Sequence, residues 1–266
     1  MKLLLAALAF ASSLSTVAAA PPTAAQSVFI DELTWTDVRD AVADGRTTVI
    51  VPVGGTEQSG PHMALGKHNV RAHVLAGRIA AQLGNALVAP VVAYVPDGPV
   101  DATSGHMKYP GTISVPSAAF RAVLEGAARS LRRAGFRDVV LIGDHGGYQS
   151  ELAAVAAKLN REWAGTPARA HFIADYYRAG VEPFANALRE HGLVDAQIGL
   201  HAGAADTSLM LAIDPRLVRA DRLAATPVAG DGVSGDARPS TAALGQLGVD
   251  LIVLRSVNAI RRAVVR

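Results

Sequence analysis

The residues best suited to chemistry in this chain of 266 are its histidines and a few carboxylates, and they are clustered. Five of the eight histidines (His62, His68, His106, His145 and His201) fall in short polar segments rich in glycine and proline. The first segment reads Gly55-Thr56-Glu57-Gln58-Ser59-Gly60-Pro61-His62 and continues Leu65-Gly66-Lys67-His68-Asn69. Glycine and proline permit the sharp bends by which a carboxylate and an imidazole face one cation. The alternative for such a segment is a polar surface loop with solvated side chains. In Gly143-Asp144-His145-Gly146-Gly147-Tyr148 an Asp–His pair lies among three glycines, whose bare backbone lets N–H groups approach a ligand. His106 sits in a turn-like stretch, Ser104–Thr112. In His201-Ala202-Gly203-Ala204-Ala205-Asp206-Thr207-Ser208, one of Asp206, Thr207 or Ser208 is expected to cap the apolar helix that follows, whereas His201 has no such structural excuse. Gly232-Val233-Ser234-Gly235-Asp236 reads as an ordinary turn.

Elements of alternating type must position these segments. Thr47–Val53, Leu87–Tyr94, Val139–Ile142 and Arg169–Ala174 read as buried strands, being short, apolar and largely β-branched. Helical spacing of apolar residues is expected over Asn69–Leu83 with Gly84 as its stop, from a Ser117 cap to about Ala134, and over Ser150–Trp163, Val181–His191 and Asp250–Ala263. Strand–helix alternation predicts a three-layer αβα fold around a central, mostly parallel sheet, with ligands beyond the carboxyl ends of the strands. The polar segments after Val53 and Ile142 occupy such positions.

Composition narrows the chemistry. With no cysteine, a disulfide scaffold, an iron–sulfur cluster, a thiolate zinc site and a cysteine nucleophile are excluded, so imidazole and carboxylate must hold any metal. No G-x-S-x-G elbow, H-E-x-x-H helix, Walker A loop or dinucleotide fingerprint occurs. The 25 Lys+Arg against 23 Asp+Glu form no basic stripe, which argues against a nucleic-acid partner. Met1–Ala20 has Lys2, the apolar run Leu3–Phe10 and the pair Ala18/Ala20 in an A-x-A pattern. It reads as a cleaved export signal rather than an anchor, since the run is shorter than the ~20 residues that span a bilayer. No other segment reads as membrane-spanning. The mature chain, residues 21–266, is then expected to be a single domain in the periplasm or outside the cell, without membrane contact.

Taken together and in this order, the segments resemble the creatininase family of metal-dependent amidohydrolases. Pro52–His68 resembles P-x-G-S-x-E-Q-H-G-P-H-L-P-L-x-T-D. Ser104–Thr112 resembles S-x-E-H-x-x-F-P-G-T, Gly143–Tyr148 resembles N-G-H-G-G-N, and His201–Ser208 resembles H-A-G-x-x-E-T-S. Gly232–Asp236 resembles the late G-x-x-G-D/N pattern, and the likeness runs from about Ile50 to Arg262. The resemblance implies an α/β protein, often oligomeric, that hydrolyses C–N bonds of cyclic or linear amides with one or two divalent ions.

By position, the resemblance makes Glu57 and His145 metal ligands and His201 the proton-transfer histidine. Several positions depart from it. Ser59 stands where a metal histidine is expected, His68 replaces the aspartate that bridges two ions, and Gly147 replaces a ligand glutamate of the creatinine-hydrolysing members. A neutral imidazole offers one lone pair where a carboxylate offers two oxygens. One ion on Glu57, His68 and His145 is therefore expected, zinc ahead of manganese or iron, with Asp144 and Asp206 completing or orienting the shell. Glu57 and His201 would carry the catalysis, and His62, His106, Ser59 and Tyr148 would line the substrate pocket. The expected activity is hydrolysis of a non-peptide amide, linear or cyclic, by a secreted homo-oligomer acting on a small molecule. The alternatives are a lactone or ester hydrolase, or a binding protein that kept the fold and lost catalysis.

Overall fold

The computed structural model describes residues 27–224 and 228–265; the signal-like Met1–Ala20 and the linker Pro21–Gln26 lie outside the described residues. The chain enters through helix α1 (Trp35–Ala43), then strand β1 (Thr48–Val53), helix α2 (Lys67–Leu83) and strand β2 (Ala86–Val88). Helix α3 (Ser117–Arg133), strand β3 (Asp138–Gly143), helix α4 (Gln149–Glu162) and strand β4 (Arg169–Phe172) follow. The C-terminal third is helical: α5 (Ala174–Ala179), α6 (Glu182–Glu190), α7 (Asp195–Ile198), α8 (Ala204–Ile213), α9 (Ala220–Leu223) and α10 (Ala242–Val264).

The strands form one parallel sheet in the order β2-β1-β3-β4. Their side chains alternate between two cores, as the period-two geometry of a strand requires. Ile50, Val88, Val140 and Ile142 pack against α2, α5, α6, α8 and α10. Val49, Val51, Leu87, Val139 and Leu141 pack against α1, α3 and α4. This is the expected parallel sheet with helices on both faces. After β1 the chain goes to one side of it (β2) and after β3 to the other (β4), so the loops leaving β1 and β3 diverge and open a crevice between them.

Some boundaries differ from the expected ones for local reasons. β2 ends at Val88, shortly before Pro90, which has no N–H to add to a ladder. α3 is preceded by Pro116, so Ser117 is its first residue rather than its cap. Helix α8 starts at Ala204, which places Asp206, Thr207 and Ser208 within its first turns rather than at its cap. Helix α10 starts eight residues before Asp250, at Ala242, behind the cap Thr241, whose side chain accepts from Leu244 N. Gly245 and Gly248 obscure that start in the sequence, yet they let α10 touch its neighbours. A Cβ at 245 would lie 1.8 Å from Ser208 O, and one at 248 would lie 2.8 Å from Leu209 Cδ2. α10 is long and apolar enough to cross a membrane by length and composition, but half of that stretch is buried, against α8, α5 and α2.

Candidate active site and metal centre

The loop leaving β1 carries Glu57 into the crevice, and the loop leaving β3 brings Asp144 and His145 beside it. The first turn of α2 supplies Lys67, His68 and Arg71, and the segment before α8 supplies His201. These groups line a cavity of about 780 Å³. Glu57 is at its centre and buried. Its Oε1 is 2.7 Å from His68 Nε2, 3.4 Å from Lys67 Nζ and 3.6 Å from His201 Nδ1. Its Oε2 is 3.1 Å from His145 Nε2 and 3.8 Å from His106 Nδ1, yet has no hydrogen-bond partner. Burial pushes the Glu57 carboxyl up, but His145, His68 and the charge of Lys67 outweigh it and hold the group ionised.

Behind this carboxylate lies a layer of paired charges. Asp144 Oδ1 is 2.5 Å from His68 Nδ1 and accepts from Arg71 Nε at 2.7 Å, while Tyr176 OH donates to Oδ2 at 2.7 Å. Burial opposes its ionisation, but Arg71 and His68 bring Asp144 down to about 2. Asp206 accepts from Lys67 Nζ at 2.9 Å, Arg71 Nη1 at 2.8 Å and Ala202 N at 3.0 Å. Burial of Asp206 is likewise overcome, here by Lys67 and Arg71. Ala202, buried at φ 54°, adopts the left-handed conformation that non-glycine residues rarely take. Its bond to Asp206 offsets that cost and fixes the backbone next to His201.

His201 is held from its far side. Its Nε2 donates to Gln58 O at 2.9 Å, and its backbone pairs with Ser234 in both directions. Burial, reinforced by Lys67, brings its imidazole down to about 4, so it is neutral at pH 7. The side-chain amide of Gln58 donates to His106 Nδ1 at 2.9 Å and to Gly232 O at 3.0 Å. The segment Gly232–Asp236, read as an ordinary turn, is thus part of the site's frame. A Cβ at Gly199 would lie 1.9 Å from Ser234 O, so glycine is needed for these two loops to meet.

Among the described residues two groups of potential ligand atoms result, the atoms of each within 4.8 Å of one another and both groups sharing Glu57: Glu57/His68/His145 and Glu57/His106/His201. The first fits a divalent cation on two counts. Glu57 Oε2 is buried without a hydrogen-bond partner. And His68, whose Nδ1 is held by Asp144, turns its other ring nitrogen, Nε2, to within 2.7 Å of Glu57, so that imidazole and carboxylate face one space as ligands of a shared cation do.

Residues 31–260 match the Creatininase family, described as creatinine amidohydrolase. The chain belongs to the creatininase family. It is 31% identical over 209 residues to the creatinine amidohydrolase of Pseudomonas putida, covering 77% of this chain and 78% of that one. It is 33% identical over 183 residues to a mycofactocin precursor peptide peptidase of Mycolicibacterium smegmatis, covering 66% of this chain and 61% of the relative. A solved variant creatininase superposes with TM-score 0.77 at 28% identity, covering 91% of this chain and all of the other. Further solved creatininases are described as a Zn-Zn type (TM-score 0.73, 28% identity, 90% and 99% covered) and a Mn form (TM-score 0.72, 28% identity, 90% and 99% covered).

Within this creatininase-family site, the structure brings Glu57, His68, His106, His145 and His201 together and sets other expected residues apart. Asp144 and Asp206 fall outside both ligand groups because their oxygens are taken by His68, Arg71, Tyr176, Lys67 and Ala202 N; they orient and compensate rather than complete the shell. Tyr148, expected in the substrate pocket, does not border the cavity. It is fully buried, its hydroxyl lies 2.8 Å from Val53 O and 2.6 Å from Gly54 O, and it accepts from Asp144 N and His145 N. It therefore clamps the ends of β1 and β3. His62 is buried against Thr207 Oγ1 at 3.0 Å, and Ser59 is wholly buried with an unpartnered Oγ; neither borders the cavity. At Gly147 a Cβ would come within 2.9 Å of the His145 ring, so a larger residue there would displace that imidazole.

Sequence reading missed Lys67, Arg71, Gln58 and Asp97. The first two carried a usable signal: cations one turn apart at a helix N-terminus, where the helix dipole disfavours positive charge. Asp97, in a Pro-Asp-Gly stretch that reads as a turn, places Oδ1 3.8 Å from His145 Nε2 and buries an unpartnered Oδ2. Burial and the nearby charge of Glu57 raise its pKa.

Proposed function

We propose that this chain hydrolyses an amide C–N bond with water activated on a single divalent ion, zinc ahead of manganese or iron, held by Glu57, His68 and His145. The observation that carries this reading is Glu57 Oε2, a buried oxygen of an ionised carboxylate with no hydrogen-bond partner, 3.1 Å from His145 Nε2. Family membership and this donor set together support a metal-dependent hydrolase of C–N bonds.

An ion bound there supplies a water with its pKa lowered toward ~7 and polarises the substrate carbonyl. The chain's own groups do the rest. Glu57, the central carboxylate, stays ionised and would serve as the ligand whose charge balances the ion and steadies its water. Asp144 fixes the tautomer and direction of His68. His201 starts neutral, with Nε2 tied to Gln58 O, so its free Nδ1 takes up a proton on the cavity side and passes it to the leaving nitrogen. His106, turned toward the same space by the Gln58 amide, contacts substrate.

The expected substrate is a small, non-peptide amide. A second reading, an amide bond of a peptide, is favoured by the cavity's volume, which lies in the upper part of the ~300–1,000 Å³ range of sites for larger organic ligands. A relative named as a peptide peptidase adds weight to it. The leader supports action outside the cytoplasm, and the family resemblance supports a homo-oligomer.

The test is elemental analysis of the purified chain, with hydrolysis assayed over cyclic amides, linear amides, short peptides and lactones. We expect one tightly held equivalent of metal, activity abolished by chelation and restored by zinc, and loss of both in Glu57→Ala and His145→Ala. Activity unchanged in those variants, or less than one equivalent of metal, would sink the proposal.

A further inference from the structure

The two donor groups share Glu57, so the described residues could accommodate two ions, yet they also place the Lys67 ammonium against the carboxylate that the groups share. Lys67 has no solvent exposure. Its Nζ is 2.9 Å from Asp206 Oδ2 and 3.4 Å from Glu57 Oε1, the same oxygen that His68 and His201 face. It opens α2, where the helix dipole disfavours it, and those two carboxylates compensate its charge. A solved relative is described as a Zn-Zn type, so the fold admits two ions in that protein.

We propose that the Lys67 ammonium takes the electrostatic place of a second divalent ion in this chain, making the centre mononuclear with a built-in cation; this rests on the metal-hydrolase reading above. Two observations on the second group, Glu57/His106/His201, support it. His106 Nδ1, the nitrogen that faces Glu57, already accepts from the Gln58 amide. The oxygen of Glu57 that His201 faces, Oε1, is the one Lys67 approaches, whereas Oε2, 3.1 Å from His145 Nε2, is left to the first group. A dication entering that group would meet an ammonium in a buried setting, where like charges repel strongly. Keeping the second ion out leaves His201 Nδ1 free for proton transfer. Lys67 is thus a positioning residue: it holds Glu57 and Asp206 ionised and reserves His201.

The experiment counts ions on the full-length protein, by elemental analysis and by calorimetric titration of the metal-free form with zinc. The wild type is expected to hold one equivalent. Lys67→Met, which keeps the chain length and removes the charge, is expected to gain a second, bound about a hundredfold more tightly than any second ion in the wild type. Lys67→Arg should stay at one, and the pair Lys67→Met/His106→Ala should return to one. His106→Ala in the wild-type background should leave one equivalent in place, which tests the idea even if Lys67→Met fails to fold. Two equivalents in the wild type, a drop on His106→Ala alone, or a folded Lys67→Met that remains at one would each overturn the role of Lys67. A wild type that holds no metal would instead defeat the hydrolase reading, and this inference with it.

Discussion

Asp144 stands directly behind His68: its Oδ1 lies 2.5 Å from Nδ1, while the opposite ring nitrogen, Nε2, is 2.7 Å from Glu57 Oε1. A buried carboxylate on one nitrogen dictates which nitrogen is left for a ligand and in which direction it points. Asp144→Asn keeps the shape but weakens that hold, and it deprives Arg71 of a counter-ion. Second-layer changes of this kind cost about 10–100-fold in metal affinity or activity. Competition of the variant against a calibrated chelator measures the effect, and an affinity equal to wild type would contradict the orienting role.

The hydroxyl of Tyr148 joins the ends of β1 and β3 rather than facing the cavity. Tyr148→Phe leaves Gly54 O and His145 N short of a partner, while Val53 O and Asp144 N keep each other, at a cost of about 1–3 kcal/mol. For a chain of this size that lowers Tm by roughly 2–4 °C per kcal/mol. Metal content and KM should stay at wild-type values. A raised KM with an unchanged melting curve would restore Tyr148 to the substrate pocket.

What was legible in the sequence, and what was not, follows from range. β1 and β3 were readable because unbroken β-branched runs have few other fates, and the polar loops after them marked the crevice. Glu57, His68, His106, His145 and His201 stood out because the glycines around them leave them little to pack against. The roles of Asp144, Asp206 and Tyr148 were not readable, since each depends on a partner far along the chain: Arg71 for Asp144, Lys67 for Asp206, Val53 for Tyr148. A carboxylate beside a histidine looks the same in sequence whether it binds a metal or holds the histidine that does. The start of α10 was hidden because Gly245 and Gly248 look like loop residues until α8 is seen against them.

His201 and its neighbours separate proton transfer from metal binding. His201→Gln removes the free Nδ1 while leaving the Glu57/His68/His145 group intact. The expected result is a fall in kcat of about 10²–10⁴-fold, the usual worth of a positioned acid–base group. The metal equivalent is retained. A variant that loses metal in proportion to activity would make His201 a ligand instead, and steady-state kinetics beside elemental analysis decides between the two.

The same residue leaves a mark on stability. In the metal-free protein burial holds His201 at about 4, against ~6.5 for an unfolded imidazole. Between those values the unfolded chain binds a proton that the folded chain refuses, so folding stability rises with pH. Its contribution is complete above pH ~6.5 and is lost progressively as pH falls toward 4, to a total of about 3 kcal/mol. His145 shifts in the opposite sense, because Glu57 outweighs the effect of its burial, but it is common to wild type and His201→Gln. It therefore largely cancels when the two are compared. Urea denaturation of both chelator-treated proteins from pH 4.5 to 8 should give stabilities that differ by a constant above pH 7. Below pH 6.5 the difference should shift progressively in favour of the variant. Parallel curves over the whole range would mean that His201 is not buried as a neutral imidazole.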